Sequence, residues 1–197
     1  LSLLRSLSQR ELRSGAAEVI KYGGVCSAAL FEQLECGALE RLLALDEDTM
    51  VDIVSQCVRL KAAVVARDEF DKLGIRNVLN FGHTIGHALE LSARYDLTHG
   101  EAISIGMVAA TGLAVKMGVC STDFYDRLTR LLKRAGLPVS YPGNEMLFEP
   151  VLKALQLDKK FRNGKNLFVL PERAGAWRQA EDIPWDMVHG AIQSAIR

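Results

Sequence analysis

Three of the chain's four histidines, His83, His87 and His99, fall within seventeen residues, and each sits beside a glycine. Imidazole is a common ligand for borderline-soft metals and titrates near neutrality without help. On a helix, His83 and His87 stand one turn apart and point to the same side. His99 lies in Thr98-His99-Gly100-Glu101, just ahead of a second apolar helical stretch. The chain must turn between the two, so two helix starts can converge on one ion. Spacing alone gives His83, His87 and His99 as the first ligand set, with Glu18, Glu90 and Glu101 as the carboxylates on offer. The competing reading is that these are ordinary helix-end histidines. It suits any one of them better than it suits all three together.

Cations are grouped around this segment. Lys21 follows Glu18 by three residues and shares its helical face, which by itself reads as a surface ion pair of small value. Lys61 sits in a helical stretch, Arg76 precedes the histidines by a turn, and Lys159 and Lys160 precede Asn163-Gly164. Helix N-termini add free N–H groups for anions. A metal ringed by lysine, arginine and helix starts would suit a substrate carrying carboxylate or phosphate. Taken singly, each of these charges reads as solvated surface.

The elements that must hold these residues are mainly helices. With 197 residues, 49% hydrophobic and 24% charged, the chain has the composition of a globular protein with a sizeable core. Its formal charge is zero, which gives no sign of nucleic acid or membrane as a partner. Four scattered cysteines without a C-x-x-C pair fit reduced thiols and a cytoplasmic location. The first residue is Leu1, so we read the chain as a piece of a longer protein. A capping-box spacing at Ser8–Glu11 opens a helix over 9–22, which Gly23-Gly24 is expected to end. Short helices follow at 27–36 and 38–44. A long one runs from 46 or 48 to 67, with Met50, Ile53, Val54, Cys57, Val58, Leu60, Ala62 and Val65 as its buried side. Residues 68–75 form a polar break.

Helices are expected over 77–93 and 100–117, the second nearly uncharged and buried all round, with Gly106 and Gly112 allowing close approach. An amphipathic helix over 121–135 ends at Gly136-Leu137-Pro138, another covers 145–157, and Pro184 opens a last one. The only convincing strand is 166–171. The turn-like Arg162–Lys165 ahead of it makes a hairpin possible. The expected fold is therefore a mainly α helical bundle, one domain over 1–197, with at most a small β-hairpin.

Three segments carry a specific resemblance: Glu-Leu-Arg-Ser-Gly-Ala-Ala-Glu-Val-Ile-Lys-Tyr-Gly (11–23), Leu-Asn-Phe-Gly-His-Thr-Ile-Gly-His-Ala-Leu-Glu (79–90) and His-Gly-Glu-Ala-Ile-Ser-Ile-Gly-Met (99–107). They resemble signature segments of the 3-dehydroquinate synthase family. Arg134–Pro138 and Asp158–Pro171 resemble it in the same order. The likeness spans the chain and matches only the family's C-terminal, helical, metal-binding domain. The N-terminal dinucleotide-binding domain has no counterpart here, and no G-x-G-x-x-G occurs.

The resemblance implies Glu18, His83 and His99 as ligands of Zn2+ (or Co2+), which moves His87 from ligand to substrate contact and proton transfer. It implies that Lys21, Lys61, Asp71, Arg76, Asn80, His87 and Lys160 contact substrate, with Lys159 as an alternative to Lys160. His87, Lys21 and Asn80 are the implied catalytic residues. The 68–75 loop is one residue longer than in many family members, so the acidic contact is carried to Asp71 by position only. The implied reaction converts 3-deoxy-D-arabino-heptulosonate 7-phosphate to 3-dehydroquinate and phosphate in the shikimate pathway, with bound NAD regenerated each turnover. The implied partners are this small sugar phosphate, an N-terminal NAD-binding domain and a second copy in a homodimer. The alternatives are another sugar-phosphate cyclase, a metal-dependent polyol dehydrogenase, and a catalytically silent metal-binding or oligomerisation fragment.

Overall fold

The computed structural model describes residues 2–93, 96–141, 147–157 and 165–196. Among them the chain folds as nine α-helices and one antiparallel hairpin, as the mainly α expectation requires. The helices are α1 (Gln9–Cys26), α2 (Ala28–Gln33), α3 (Leu39–Leu43), α4 (Glu47–Arg67), α5 (His83–Ser92), α6 (His99–Lys116), α7 (Thr122–Arg134), α8 (Phe148–Leu157) and α9 (Trp185–Ala195). The strands are β1 (Leu167–Arg173) and β2 (Ala176–Glu181). No helix among the described residues is long and apolar enough to cross a membrane.

The core is built around α6. Thirteen of its residues are buried, from Gly100 to Ala114, on every side of the helix. It packs against α5, α9, α1, α7 and β1. Such closeness needs small residues. A Cβ on Gly106 would strike the carbonyl of Gly82, so α5 and α6 touch through backbone. Gly112 differs from expectation, since a Cβ there would meet only the Tyr125 ring at 3.5 Å, an ordinary contact.

Four local expectations are corrected. Gly23 and Gly24 do not end α1, which runs on to Cys26. Both are buried, and a Cβ on Gly23 would crowd the Phe31 backbone at 3.0 Å. Packing overrides their helix-breaking tendency here. The helix stops instead at Ser27, whose side chain accepts from Leu30 N and caps α2.

The 77–93 helix is two pieces. A 3-10 helix over Ile75–Asn80 is followed by α5 starting at His83. Gly82 separates them with φ +79°, a conformation that side chains rarely adopt. A Cβ there would also meet Ile103 O at 2.8 Å.

Only Met50 and Ile53 of the α4 stripe are buried, and Val58 is 61% exposed. The helix α4 packs on α1, α3 and the 3-10 helix, and its two buried residues lie in its first two turns. Of the predicted face, Val58 and Ala62 are exposed and the rest is buried or half-buried, so the amphipathic spacing marked it only in part.

The one convincing strand has a partner that the sequence did not suggest, and that partner follows it in the chain. β1 pairs with β2 through Ala174-Gly175, with Leu167 opposite Glu181 and Leu170 opposite Arg178. Gly175 N donates to Gly24 O at 3.0 Å, which pins the turn to the end of α1. The residues expected to form a turn at 162–164 lie outside the described residues.

Candidate metal centre

Arg10, Ser14 and Glu18 lie four residues apart on α1 and share one face. That face meets the start of α6. Arg10 donates to both carboxylate oxygens of Glu101 (2.9 and 2.7 Å) and to Asp96 O (2.7 Å). Ser14 Oγ accepts from Gly100 N at 3.0 Å. A Cβ on Gly100 would collide with the Ser14 backbone, so only glycine fits beside His99. Thr98 and Glu101 close a capping box at the same point. Glu101, one of the carboxylates on offer, is therefore occupied with holding the helix start. Arg10 and the Thr98 backbone N–H outweigh burial and keep its carboxyl below the usual range.

The third residue of that face reaches the histidines. Glu18 Oε1 lies 3.6 Å from His83 Nε2 and 3.7 Å from His99 Nε2. All three ligand atoms lie within 4.8 Å of one another. A tetrahedral ion with bonds of about 2.0–2.2 Å sets its ligand atoms about 3.3–3.6 Å apart, so an ion fits with little movement. Glu18 Oε1 is buried and has no hydrogen-bond partner among the described residues. A buried carboxylate oxygen that faces two imidazole nitrogens without a hydrogen bond to either is costly unless a cation joins them. The donor set, two histidines and one glutamate, is one that catalytic zinc uses.

The other Glu18 oxygen is held from behind. Lys21 Nζ donates to Oε2 at 2.6 Å and to Leu79 O at 2.8 Å, and Lys21 is only 3% exposed. The surface ion pair of the spacing argument is thus an interior one. His83 is oriented as well. Its Nδ1 lies 3.1 Å from Phe81 O, and a carbonyl can only accept, so the ring proton sits on Nδ1 and the Nε2 lone pair is open. Burial, then the Lys21 charge, push the His83 pKa down to about 4, against weaker raising effects from Phe81 O and Glu18. His83 is therefore neutral at physiological pH, the form a metal requires.

His87 stands beside the triangle. Its ring meets that of His83 edge-on at 5.1 Å and lies 5.8 Å from that of His99. His99 Nδ1 lies 3.5 Å from Glu90 Oε2, and His87, Glu90 and His99 make a second compact group.

The remaining expected residues among those described lie on α4, in the loop after it and on the 3-10 helix. Lys61 is exposed on α4. Arg76 and Asn80 are half-buried on the 3-10 helix that leads into α5, and Arg76 donates to Glu69 O at 3.5 Å. Asp71 is exposed, with φ +54°. Lys159 and Lys160 lie outside the described residues.

Sequence reasoning overlooked Asp68 in this loop. Its buried carboxylate accepts from Lys72 N (2.8 Å), Leu73 N (3.1 Å) and Ile75 N (3.1 Å). Desolvation opposes its charge, but backbone N–H groups of Leu73, Lys72, Arg76 and Ile75 win and hold it below the usual range. An aspartate at a helix C-terminus, where the dipole disfavours it, was the available signal.

Residues 15–161 match the family described as "3-dehydroquinate synthase C-terminal". The chain belongs to this family. It is 41% identical over 193 residues to 3-dehydroquinate synthase of Nostoc punctiforme and 42% identical over 194 residues to that of Synechococcus sp.. Each alignment covers 97% of this chain but only 53% and 52% of the relative, so the chain spans about half the length of these 3-dehydroquinate synthases. Its fold resembles that of 2-epi-5-epi-valiolone synthase from Streptomyces hygroscopicus subsp. jinggangensis 5008, solved with NAD+ and Zn2+ bound. The TM-score is 0.86 at 24% identity, over 98% of this chain and 53% of that one. It also resembles 2-deoxy-scyllo-inosose synthase complexed with carbaglucose-6-phosphate, NAD+ and Co2+. There the TM-score is 0.79 at 19% identity, over 97% and 54%. At these identities the two structures establish the fold.

Proposed function

We propose that this chain is the metal- and substrate-binding half of a 3-dehydroquinate synthase, acting on 3-deoxy-D-arabino-heptulosonate 7-phosphate and releasing phosphate. The observation that carries the reading is Glu18 Oε1, buried without a partner among the described residues and facing the Nε2 atoms of His83 and His99 in a chain of this family. Glu18, His83 and His99 are the proposed ligands, and Zn2+ or Co2+ fits their donor set. When bound, the ion would polarise a substrate oxygen and acidify its hydroxyl.

The chain's own residues supply the rest. Lys21 keeps Glu18 turned toward the histidines and brings a buried positive charge within reach of a substrate anion. His87, one turn along α5 from His83, is proposed to carry a proton to or from the substrate, a task suited to imidazole near neutral pH. Asn80 and Arg76 lie on the segment leading directly into His83, so a substrate held by them is held in register with the ligands. Arg76 would grip the carboxylate with its planar fork. Lys61, Asp71 and Lys160 are the further proposed contacts.

NAD does not fit the residues present. Among the described residues the one sheet is the antiparallel hairpin, whereas dinucleotides bind beyond the carboxyl ends of strands in parallel sheets. We assign NAD to the half of the relatives that this chain does not span. The decisive assay measures phosphate release from the heptulosonate phosphate with NAD and Zn2+. The chain alone should release none, and the chain supplied with a relative's N-terminal half should release phosphate. Turnover by the chain alone would place the cofactor within these 197 residues and overturn the division. Turnover only with a sugar phosphate lacking the carboxylate would make it another cyclase.

A further inference from the structure

The two histidines of the triangle are held very differently. The His83 side chain is 11% exposed and its Nδ1 is tied to Phe81 O. His99 is the first residue of α6, its side chain is 45% exposed, and among the described residues no backbone carbonyl is hydrogen-bonded to its ring. Its orientation therefore rests on the side chains around it. An unconstrained neutral imidazole carries its proton mainly on Nε2, which here is the nitrogen turned toward Glu18. Left alone, His99 would present a proton where a lone pair is needed.

Glu90 Oε2 lies 3.5 Å from His99 Nδ1, on the opposite side of the ring from Glu18. A carboxylate can only accept, so this contact draws the proton to Nδ1 and frees Nε2. The distance is at the long end of hydrogen bonding, and such contacts tighten when the ring becomes a ligand, because metallation makes the remaining N–H more acidic. His83, His87 and Glu90 fall at i, i+4 and i+7 of α5, so one helical stripe carries a ligand, a proton carrier and this carboxylate. We infer that Glu90 is a positioning residue that fixes the tautomer and orientation of His99. The inference rests on the metal reading above.

The alternative is that Glu90 is itself a ligand, since His87, Glu90 and His99 also cluster within 4.8 Å. His99 could serve an ion in each group at once only as an imidazolate, with the proton lost from both nitrogens. One histidine, one ion and a supporting carboxylate is the arrangement that needs no such loss.

Glu90→Ala and Glu90→Gln in the full chain test this, by long-range 1H–15N NMR of the metal-free protein at about pH 8 and by Co2+ titration against a chelator. In the parent, His99 should be protonated on Nδ1, and in Glu90→Ala it should shift toward Nε2. His83, held by Phe81 O, should not change and reports that the fold is intact. Co2+ affinity should fall about 10–100-fold in Glu90→Ala, and by less in Glu90→Gln, which can still accept. All three proteins should bind one ion. An unchanged His99 tautomer with unchanged Co2+ affinity in Glu90→Ala overturns the inference. So does a second Co2+ equivalent in the parent that Glu90→Ala loses. A parent that binds no Co2+ overturns the metal reading instead, and the tautomer measurement then decides the role of Glu90 separately.

Discussion

Lys21 Nζ lies 2.6 Å from Glu18 Oε2, and that contact leaves Oε1 as the oxygen turned to His83 and His99. Lys21 also holds Leu79 O, two residues before the turn that starts α5. One buried ammonium thus ties the carboxylate of α1 to the approach of the histidine helix. Lys21→Met keeps the apolar stem and removes both bonds. It should cost about 2 kcal/mol of stability in the metal-free chain, below the range for a fully buried pair because Glu18 is about one-third exposed. Urea unfolding reads this directly, and an unchanged midpoint would show that the pair does not hold the site.

The His83 pKa gives a pH dependence whose direction can be worked out. The imidazole is depressed to about 4 in the folded chain, from 6.5. Below 6.5 the unfolded chain takes up a proton that the folded chain refuses, so His83 favours folding above that pH. Its contribution is lost as pH falls from 6.5 to about 4. In metal-free chain, the stability of the parent should therefore drop more steeply across this window than that of His83→Asn, which cannot titrate. Parallel curves for the two proteins would contradict the neutral, buried imidazole.

Two glycines of α6 should respond in opposite ways. Gly106→Ala puts a Cβ against the Gly82 carbonyl and must push α5 from α6. It should lose about 2 kcal/mol or more and weaken metal binding, because His83 moves with α5. Gly112→Ala meets only an ordinary contact with Tyr125 and should gain about 0.5–1 kcal/mol through helix propensity. Thermal unfolding of the two variants checks both signs.

That contrast also marks where the sequence was legible. Small residues in a nearly uncharged helix foretold that α6 would be central, and the flanking signals placed most of α6, α7 and α9. They could not say which glycine meets backbone, since that depends on the partner helix. Gly23 and Gly24 show the same gap, reading as a stop and serving as contact points. The α4 stripe shows the reverse, with apolar spacing present and the cover missing over Val58. At the site, histidine spacing alone chose His87 over Glu18, because the carboxylate comes from a helix 65 residues earlier in the chain than His83. Glu18 was on offer as a carboxylate, and only the motif likeness put it in the ligand set in place of His87. The partners of Asp68 and of Arg10 were illegible, because they are backbone amides or a distant side chain.

Asp68→Ala should free the 68–75 loop without touching the ligand triangle. Amide exchange at Lys72, Leu73 and Ile75 should speed up by at least tenfold, since each loses its acceptor. Zn2+ affinity should change little. Protection that persists at these amides would show that the carboxylate does not organise the loop.

The central claim is that Glu18, His83 and His99 bind one ion and that His87 stands outside the ligand set. Metal analysis after zinc loading and dialysis, on the parent, His87→Ala and His99→Ala, tests it most directly. One equivalent of zinc should remain on the parent and on His87→Ala, and little should remain on His99→Ala. Zinc kept by His99→Ala and lost by His87→Ala would contradict the account.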